Sequence, residues 1–290
     1  MNELHGQVGI ITGGGKGLGR AFALHLASLG ARIVVNNRNR EVDSAGQVAA
    51  AITAAGGDAV ADSSDVADPA TGERLVELAL SAFGRLDFCV TSAAVSGPAM
   101  FHKTTIEDFT AVHTVNVLGT ASVAMAASRH LRAAGGGRIV LVASTAGLHG
   151  EPTVAAYAAS KGAVIALGRT IAVEGAPRRV FTNVLLPYAT TQLTDAGMAP
   201  NLREAMSSDA VAPLVAALVD PRGTLNGEVL VAANGAFRAT NSIEWGTVRL
   251  PADLDPAALA GLVAASRSGK PHDYPTAQDA FADFAGETVS

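Results

Sequence analysis

Tyr157 and Lys161 stand four residues apart, and Ser144 precedes the tyrosine by thirteen. If the chain is helical there, positions i and i+4 share a face, so a phenol and an ammonium enter one site. A cation beside a phenol favours the phenolate and lowers a tyrosine pKa from about 10 toward neutrality. A phenol tuned in this way exchanges a proton with an alcohol or carbonyl oxygen. By itself the pair is a weak signal, because a core-edge tyrosine with a solvated lysine one turn on is common on amphipathic helices. Its weight rests on the elements that would hold it.

Residues 154–174 supply the helix. Alanine and long aliphatic residues dominate the stretch, and no proline interrupts it before Pro177. At the other end of the chain, 8–11 is a short apolar run that reads as a buried strand and leads directly into Thr12-Gly13-Gly14-Gly15-Lys16-Gly17-Leu18-Gly19. Leu18, Phe22, Leu26 and Leu29 then form one helical stripe, Gly30 stops it, and 33–35 is a second strand. Strand, glycine turn, helix and strand make a βαβ unit of dinucleotide-binding length. Glycines allow the backbone to approach a pyrophosphate, and the helix amino terminus offers it free N–H groups and a positive dipole end. In this context the glycine turn is a strong signal.

The alternation continues. Helical stretches 42–55 and 71–83 end at glycines, strands follow at 59–61 and 86–90, and Thr104 with Glu107 forms a capping box ahead of another helix. Runs at 138–143, 180–185 and 228–231 complete the set of strands. Such order predicts an α/β fold with a mostly parallel sheet, helices on both faces and ligands beyond the carboxyl ends of the strands. Thr12, Asp65 and Ser144 fall just beyond such ends.

Composition narrows the function. The 290 residues are 49% hydrophobic and 16% charged, enough for a sizeable core, and no linker-like run divides them. A net charge of −5 with scattered cations offers no footprint for nucleic acid. Seven histidines without paired spacing and one cysteine, Cys89, predict no metal site and no internal disulfide. The lone cysteine, the absence of a signal-peptide pattern and the absence of an apolar run of about 18 residues predict a cytoplasmic protein with no membrane partner.

Taken together, Thr12-Gly13, Gly17-Leu18-Gly19, Asp65-Val66, Asn116-Val117-Leu118-Gly119, Ser144 and Tyr157-x-x-x-Lys161 resemble the short-chain dehydrogenase/reductase family in order and spacing. The resemblance covers about residues 6–235. It implies a Rossmann doubly wound sheet of seven strands, a nicotinamide cofactor, and four catalytic residues. In that carry-over Tyr157 is the general acid of carbonyl reduction and the base of the reverse reaction. Ser144 bonds the substrate oxygen, Lys161 holds the nicotinamide ribose and tunes Tyr157, and Asn116 supports a relay water. Cofactor contacts carried over include Thr12, Gly13, Lys16, Gly17, Leu18, Gly19, Asn37, Asp65, Val66, Ala93 and Pro187. A closer likeness, through 209–215, Asn226-Gly227, Val34-Val35-Asn36 and 82–87, is to the hydroxyacyl-CoA dehydrogenase part of peroxisomal multifunctional enzymes. It implies 3-oxoacyl or 3-hydroxyacyl substrates, an acyl thioester among them.

Three departures from the family pattern matter. Thr91-Ser92-Ala93-Ala94 stands where the family usually has Asn-Asn-Ala-Gly. Beyond Pro187, Tyr188 and Gln192 replace the usual glycine and threonine, which leaves Thr190 and Thr191 as candidate partners for the nicotinamide carboxamide. Asn36-Asn37-Arg38-Asn39-Arg40 ends the second strand without a carboxylate. Since a 2′-phosphate needs cations and a ribose diol needs a carboxylate, Lys16 and Arg38 predict NADP(H), with NAD(H) as the alternative.

Tyr188 and His149 are substrate-pocket candidates. Residues 236–290 form a proline-punctuated extension expected to pack on the active-site side or on a neighbouring subunit. Small residues along the Tyr157 helix and the family resemblance imply a homodimer or homotetramer. Two function classes follow: an enzyme interconverting a ketone and a secondary alcohol, or a nucleotide-binding regulator without turnover. The complete set Asn116, Ser144, Tyr157 and Lys161 favours the enzyme.

Overall fold

The computed structural model describes residues 4–38, 42–189, 206–253 and 255–289. Two compact units divide the chain, the first ending at Ala239 and the second beginning at Thr240.

In the first unit the strands are β1 (Val8–Thr12), β2 (Arg32–Asn36), β3 (Ala59–Asp62), β4 (Phe88–Thr91), β5 (Gly137–Val142), β6 (Val180–Pro187), β7 (Val229–Ala233) and β8 (Ala236–Thr240). They form one sheet in the order β3-β2-β1-β4-β5-β6-β7-β8. Each pairing from β3 across to β7 is parallel. The helices are α1 (Gly17–Ser28), α2 (Ser44–Ala54), α3 (Thr71–Phe83), α4 (Ile106–His113), α5 (Thr120–Ala134), α6 (Ala146–His149), α7 (Ala155–Gly175) and the later Ala212–Val219. The sheet thus has eight strands where seven were expected. β8 returns from β7 through Asn234 and Gly235, whose φ values of 47° and 70° suit a two-residue hairpin turn. Its first four residues are exposed, so no apolar alternation marked it in the sequence.

Successive strand residues point to opposite faces, and both faces are covered. On one, Phe22 and Leu26 of α1, Ile52 of α2 and Val215 pack on Ile11, Ile33 and Val35. On the other, Leu75 of α3, Val123 and Leu131 of α5 and Val164 of α7 pack on Ile10, Val34, Ile139 and Leu141. Burial on both sides is why β1 and β4 read as uninterrupted apolar runs.

Two local expectations shift. The cap of α4 is Thr105, whose Oγ1 accepts the Asp108 N–H at 3.0 Å and donates to Asp108 Oδ2 at 2.8 Å. Thr104 with Glu107 offers the same spacing one residue earlier, and the structure uses the later pair. The helix running from Ile106 to Ala134 is also long and apolar enough to cross a membrane by length and composition alone. Its uncharged stretch buries Val112, Asn116, Val123, Ala124 and Ala127 within the unit, as a core-facing helix does.

Among its described residues the second unit holds two α-helices, Leu259–Ser268 and Ala277–Val289. Glu244 and His272 exchange backbone hydrogen bonds of 2.9 and 2.8 Å, and Arg249 donates to the carbonyls of Glu287 and Thr288.

Candidate active site

Between β1 and β4 the strand order reverses, and α/β sheets bind ligands in the crevice at such a point. A cavity of about 830 Å³ opens there, lined by the carboxyl ends of β2, β5 and β6 and by the loops after β1 and β4.

One end of the cavity is the glycine turn. Gly13, Lys16, Gly17, Leu18 and Gly19 line it. Gly13 has φ of 66°, and a Cβ there would lie 2.8 Å from the Ala93 nitrogen; at Gly19 it would lie 2.3 Å from the Gly13 carbonyl oxygen. Only a residue without a side chain permits this closeness. Lys16 caps α1 in an extended conformation with no side-chain cap bond, so first-turn N–H groups stay available to an anion. The turn therefore fits a dinucleotide pyrophosphate. Thr12 stands behind this wall rather than in it. Its buried Oγ1 accepts the N–H groups of Ser92 and Ala93 at 3.1 and 3.2 Å, and so ties β1 to the loop after β4.

Around the adenosine end, Asn37, Arg38, Asp65, Val66 and Ala93 all line the cavity. Asn37 Nδ2 donates to Ser44 Oγ at 2.8 Å. Arg38 Nη1 lies 3.0 Å from Asp65 Oδ2, and Asp65 Oδ1 accepts the Ala67 N–H at 3.0 Å. The expected phosphate ligand thus shares its charge with a carboxylate. Lys16 is exposed and has no ion-pair partner among the described residues.

At the other end, the amino-terminal turn of α7 brings in Tyr157 and Lys161, while Ser144 follows β5. Ser144 Oγ accepts the Ala146 N–H at 3.2 Å, and both Ser144 and Tyr157 line the cavity. Burial pushes the Tyr157 phenol above its ordinary value, and the Ser144 hydroxyl pulls it partway back. This differs from the lowering by Lys161 that the sequence suggested. The ammonium sits 5.6 Å from the Tyr157 ring centre and donates to the Val142 carbonyl at 2.9 Å. Lys161 is itself 2% exposed, and burial brings its pKa down to about 8.

Asn116 lies in a π-helical segment, Thr114–Gly119, that joins α4 to α5. Its side chain is fully buried. Oδ1 accepts the Val95 N–H at 2.8 Å, while Nδ2 donates to the Val95 carbonyl and to Ser160 Oγ, each at 2.9 Å. Ser160 Oγ passes the chain on to the Tyr157 carbonyl at 2.7 Å. Both Nδ2 hydrogens are therefore taken, and the amide fixes the loop after β4 to the catalytic helix. Sequence reasoning missed Ser160; its place beside Lys161 in the motif was the available signal.

Pro187 and Tyr188 line the cavity, Tyr188 at 47% exposure. His149, at the end of α6, is exposed and does not line it. Thr190, Thr191 and Arg40 lie outside the described residues. Glu151, Val154 and Ser96 also line the cavity and were not foreseen. Glu151 and Val154 fall in the interval between Ser144 and Tyr157, which could have flagged them. No group of three or more metal-ligating side chains occurs among the described residues.

A family model described as short chain dehydrogenase matches residues 7–205. Peroxisomal multifunctional enzyme A of Dictyostelium discoideum is 34% identical over 236 residues, which is 79% of this chain and 53% of that protein. The chain spans about half or less of the length of the first three such multifunctional enzymes, 53%, 43% and 29%. A short chain dehydrogenase from Mycobacterium avium superposes with a TM-score of 0.82 at 32% identity, covering 94% of this chain and 98% of that one. A 7α-hydroxysteroid dehydrogenase complexed with NADH and 7-oxo glycochenodeoxycholic acid superposes with a TM-score of 0.74 at 26% identity, covering 81% and 95%.

Proposed function

The chain belongs to the short-chain dehydrogenase family of oxidoreductases, which use nicotinamide cofactors, and we propose that it interconverts a ketone and a secondary alcohol with Tyr157 as general acid and base. One observation carries this reading. Ser144, Tyr157 and Lys161 line the same cavity as a glycine turn that fits a pyrophosphate. A bound nicotinamide would supply or accept the hydride.

The chain's own residues do the rest. Ser144 and Tyr157 present two hydroxyls from one cavity to a substrate oxygen. With its phenol raised by burial, Tyr157 is protonated at neutral pH and can donate to the oxygen as negative charge develops there. Lys161 places a buried ammonium behind the ring, where it stabilises the phenolate left after transfer. Asn116 and Ser160 hold the Tyr157 carbonyl and the Val95 backbone, which keeps the geometry fixed between turnovers.

Lys16 and Arg38 support NADP(H) as the cofactor. NAD(H) stays as the second reading, because Arg38 is already bonded to Asp65. The substrate class is a 3-oxoacyl or 3-hydroxyacyl compound, carried as an acyl thioester, on the strength of the likeness to multifunctional enzymes. The setting is a cytoplasmic homodimer or homotetramer.

The test is the absorbance of reduced nicotinamide during incubation with 3-oxoacyl thioesters and simple ketones, for each cofactor in turn. Oxidation of NADPH by the thioester is the expected result. No oxidation of either cofactor by any ketone would leave the nucleotide-binding regulator.

A further inference from the structure

A second cavity, of about 450 Å³, opens where β1, β4, β5 and β6 begin, at the opposite end of the sheet from the crevice. The two cavities share no lining residue. Arg85, Arg138 and Arg179 line this one, with Asp87 as the single carboxylate. Asp87 is committed elsewhere. Its oxygens accept Arg85 Nε and Nη2 at 2.8 and 2.6 Å, and one also accepts the Val8 N–H at 2.8 Å. Two cations in the wall are left without a carboxylate partner among the described residues.

Arg138 is 7% exposed. Nη1 donates to the Gly137 carbonyl at 3.0 Å, and Nη2 to those of Pro221 and Gly223, each at 2.7 Å. The group lies 4.8 Å from the centre of the Phe181 ring, and its Nε has no hydrogen-bond partner. Carbonyl dipoles hold this guanidinium in place without matching its charge, although a buried ion is ordinarily paired. The nearest acid that acts on it, Asp220, is bonded to Arg222 at 2.5 Å. Burial and the charge of Arg179 both push the Arg138 pKa down.

Arg179 is the second cation. Its φ is 58°, in the left-handed region where glycine sits with least strain. Its N–H donates to the Ala176 carbonyl at 3.0 Å and its carbonyl accepts the Gly137 N–H at 3.1 Å, which fixes the backbone. The exposed guanidinium has no partner among the described residues. Strained backbone that presents a functional group is the pattern of ligand clamps.

We propose that this cavity is a second binding site, for a small organic oxyanion carrying two negative charges, a phosphate monoester or a dicarboxylate. Arg179 is its direct ligand, and Arg138 is the fixed charge beneath it. The volume suits a small molecule rather than a bare ion. Such an anion supplies the counter-charge that both guanidiniums lack.

The experiment is thermal unfolding of the full chain carrying Lys16→Gln and Arg38→Gln, which removes two cations from the crevice; a rise owed to the backbone N–H groups of the glycine turn would survive the Arg179 substitutions below. Glycerol 3-phosphate, succinate and chloride are titrated at matched ionic strength, since a ligand of the native state raises the midpoint. A saturable rise with glycerol 3-phosphate, with succinate or with both is expected, and none with chloride. The compound that acts identifies the class. Adding Arg179→Gln should weaken the response roughly tenfold or more, the effect of losing one charge-assisted contact. Arg179→Gly should remove it equally while raising the baseline midpoint, which separates ligand loss from misfolding. No rise with either oxyanion, or a rise that both Arg179 variants leave unchanged, overturns the proposal.

Discussion

Lys161 and the Arg38–Asp65 pair each place a demand on the crevice. Lys161 is a buried amine whose pKa falls from 10.5 to about 8. Between those values the unfolded chain binds the proton and the folded chain does not, so stability rises with pH across that window and is lowest below about 8. Lys161→Met should therefore stabilise the protein at neutral pH, by about 3 kcal/mol at most, with the gain vanishing above the unfolded value. Urea unfolding across the pH range would check this; equal gains at neutral and high pH would contradict it. The Arg38–Asp65 pair sets a second demand. Asp65→Asn should release Arg38 and strengthen NADPH binding relative to NADH, whereas Lys16→Gln with Arg38→Gln should do the reverse. Fluorescence titration of both cofactors would decide. Unchanged ratios in both variants would remove these cations from cofactor choice.

At the scale of elements, the π-helical segment and the catalytic helix form one device. Asn116→Ala would leave the Val95 N–H, the Val95 carbonyl and a Ser160 bond unanswered within buried surroundings. A loss on the order of 1–3 kcal/mol is expected from denaturant unfolding, with turnover falling as the loop after β4 loosens. The sequence was informative about these elements for physical reasons. Glycines at 13 and 19, a 3.6-residue stripe on α1 and the fully apolar β1 leave little freedom in the first βαβ unit, and the lysine and tyrosine of α7 fall where their spacing puts them. What stayed hidden depends on contacts between distant segments. The charge of Arg38 looked free until Asp65, twenty-seven residues on, met it. The Tyr157 pKa looked lowered because spacing reports which groups are near, while burial, which decides the direction here, is a property of the packed crevice. β8 escaped notice because an exposed edge strand needs no apolar pattern.

For the whole molecule, the helical stretch from Ile106 exposes Ile106 at 71%, Leu118 at 63% and Met125 at 53%, beside Phe101 at 74%. Apolar side chains gathered along one stretch suit burial against a second copy, in line with the proposed homo-oligomer. Light scattering at micromolar concentration should give twice or four times the chain mass, and Leu118→Glu with Met125→Glu should shift it toward the monomer. A wild-type monomer would contradict the assembly. The account as a whole stands on Tyr157 as the group that moves the proton. Single-turnover reduction of a 3-oxoacyl thioester by Tyr157→Phe, beside a cofactor titration of the same folded variant, tests it most directly. The account predicts cofactor affinity close to that of the wild type and a hydride-transfer rate lower by about 10²-fold or more. A rate within a few-fold of the wild type would contradict it.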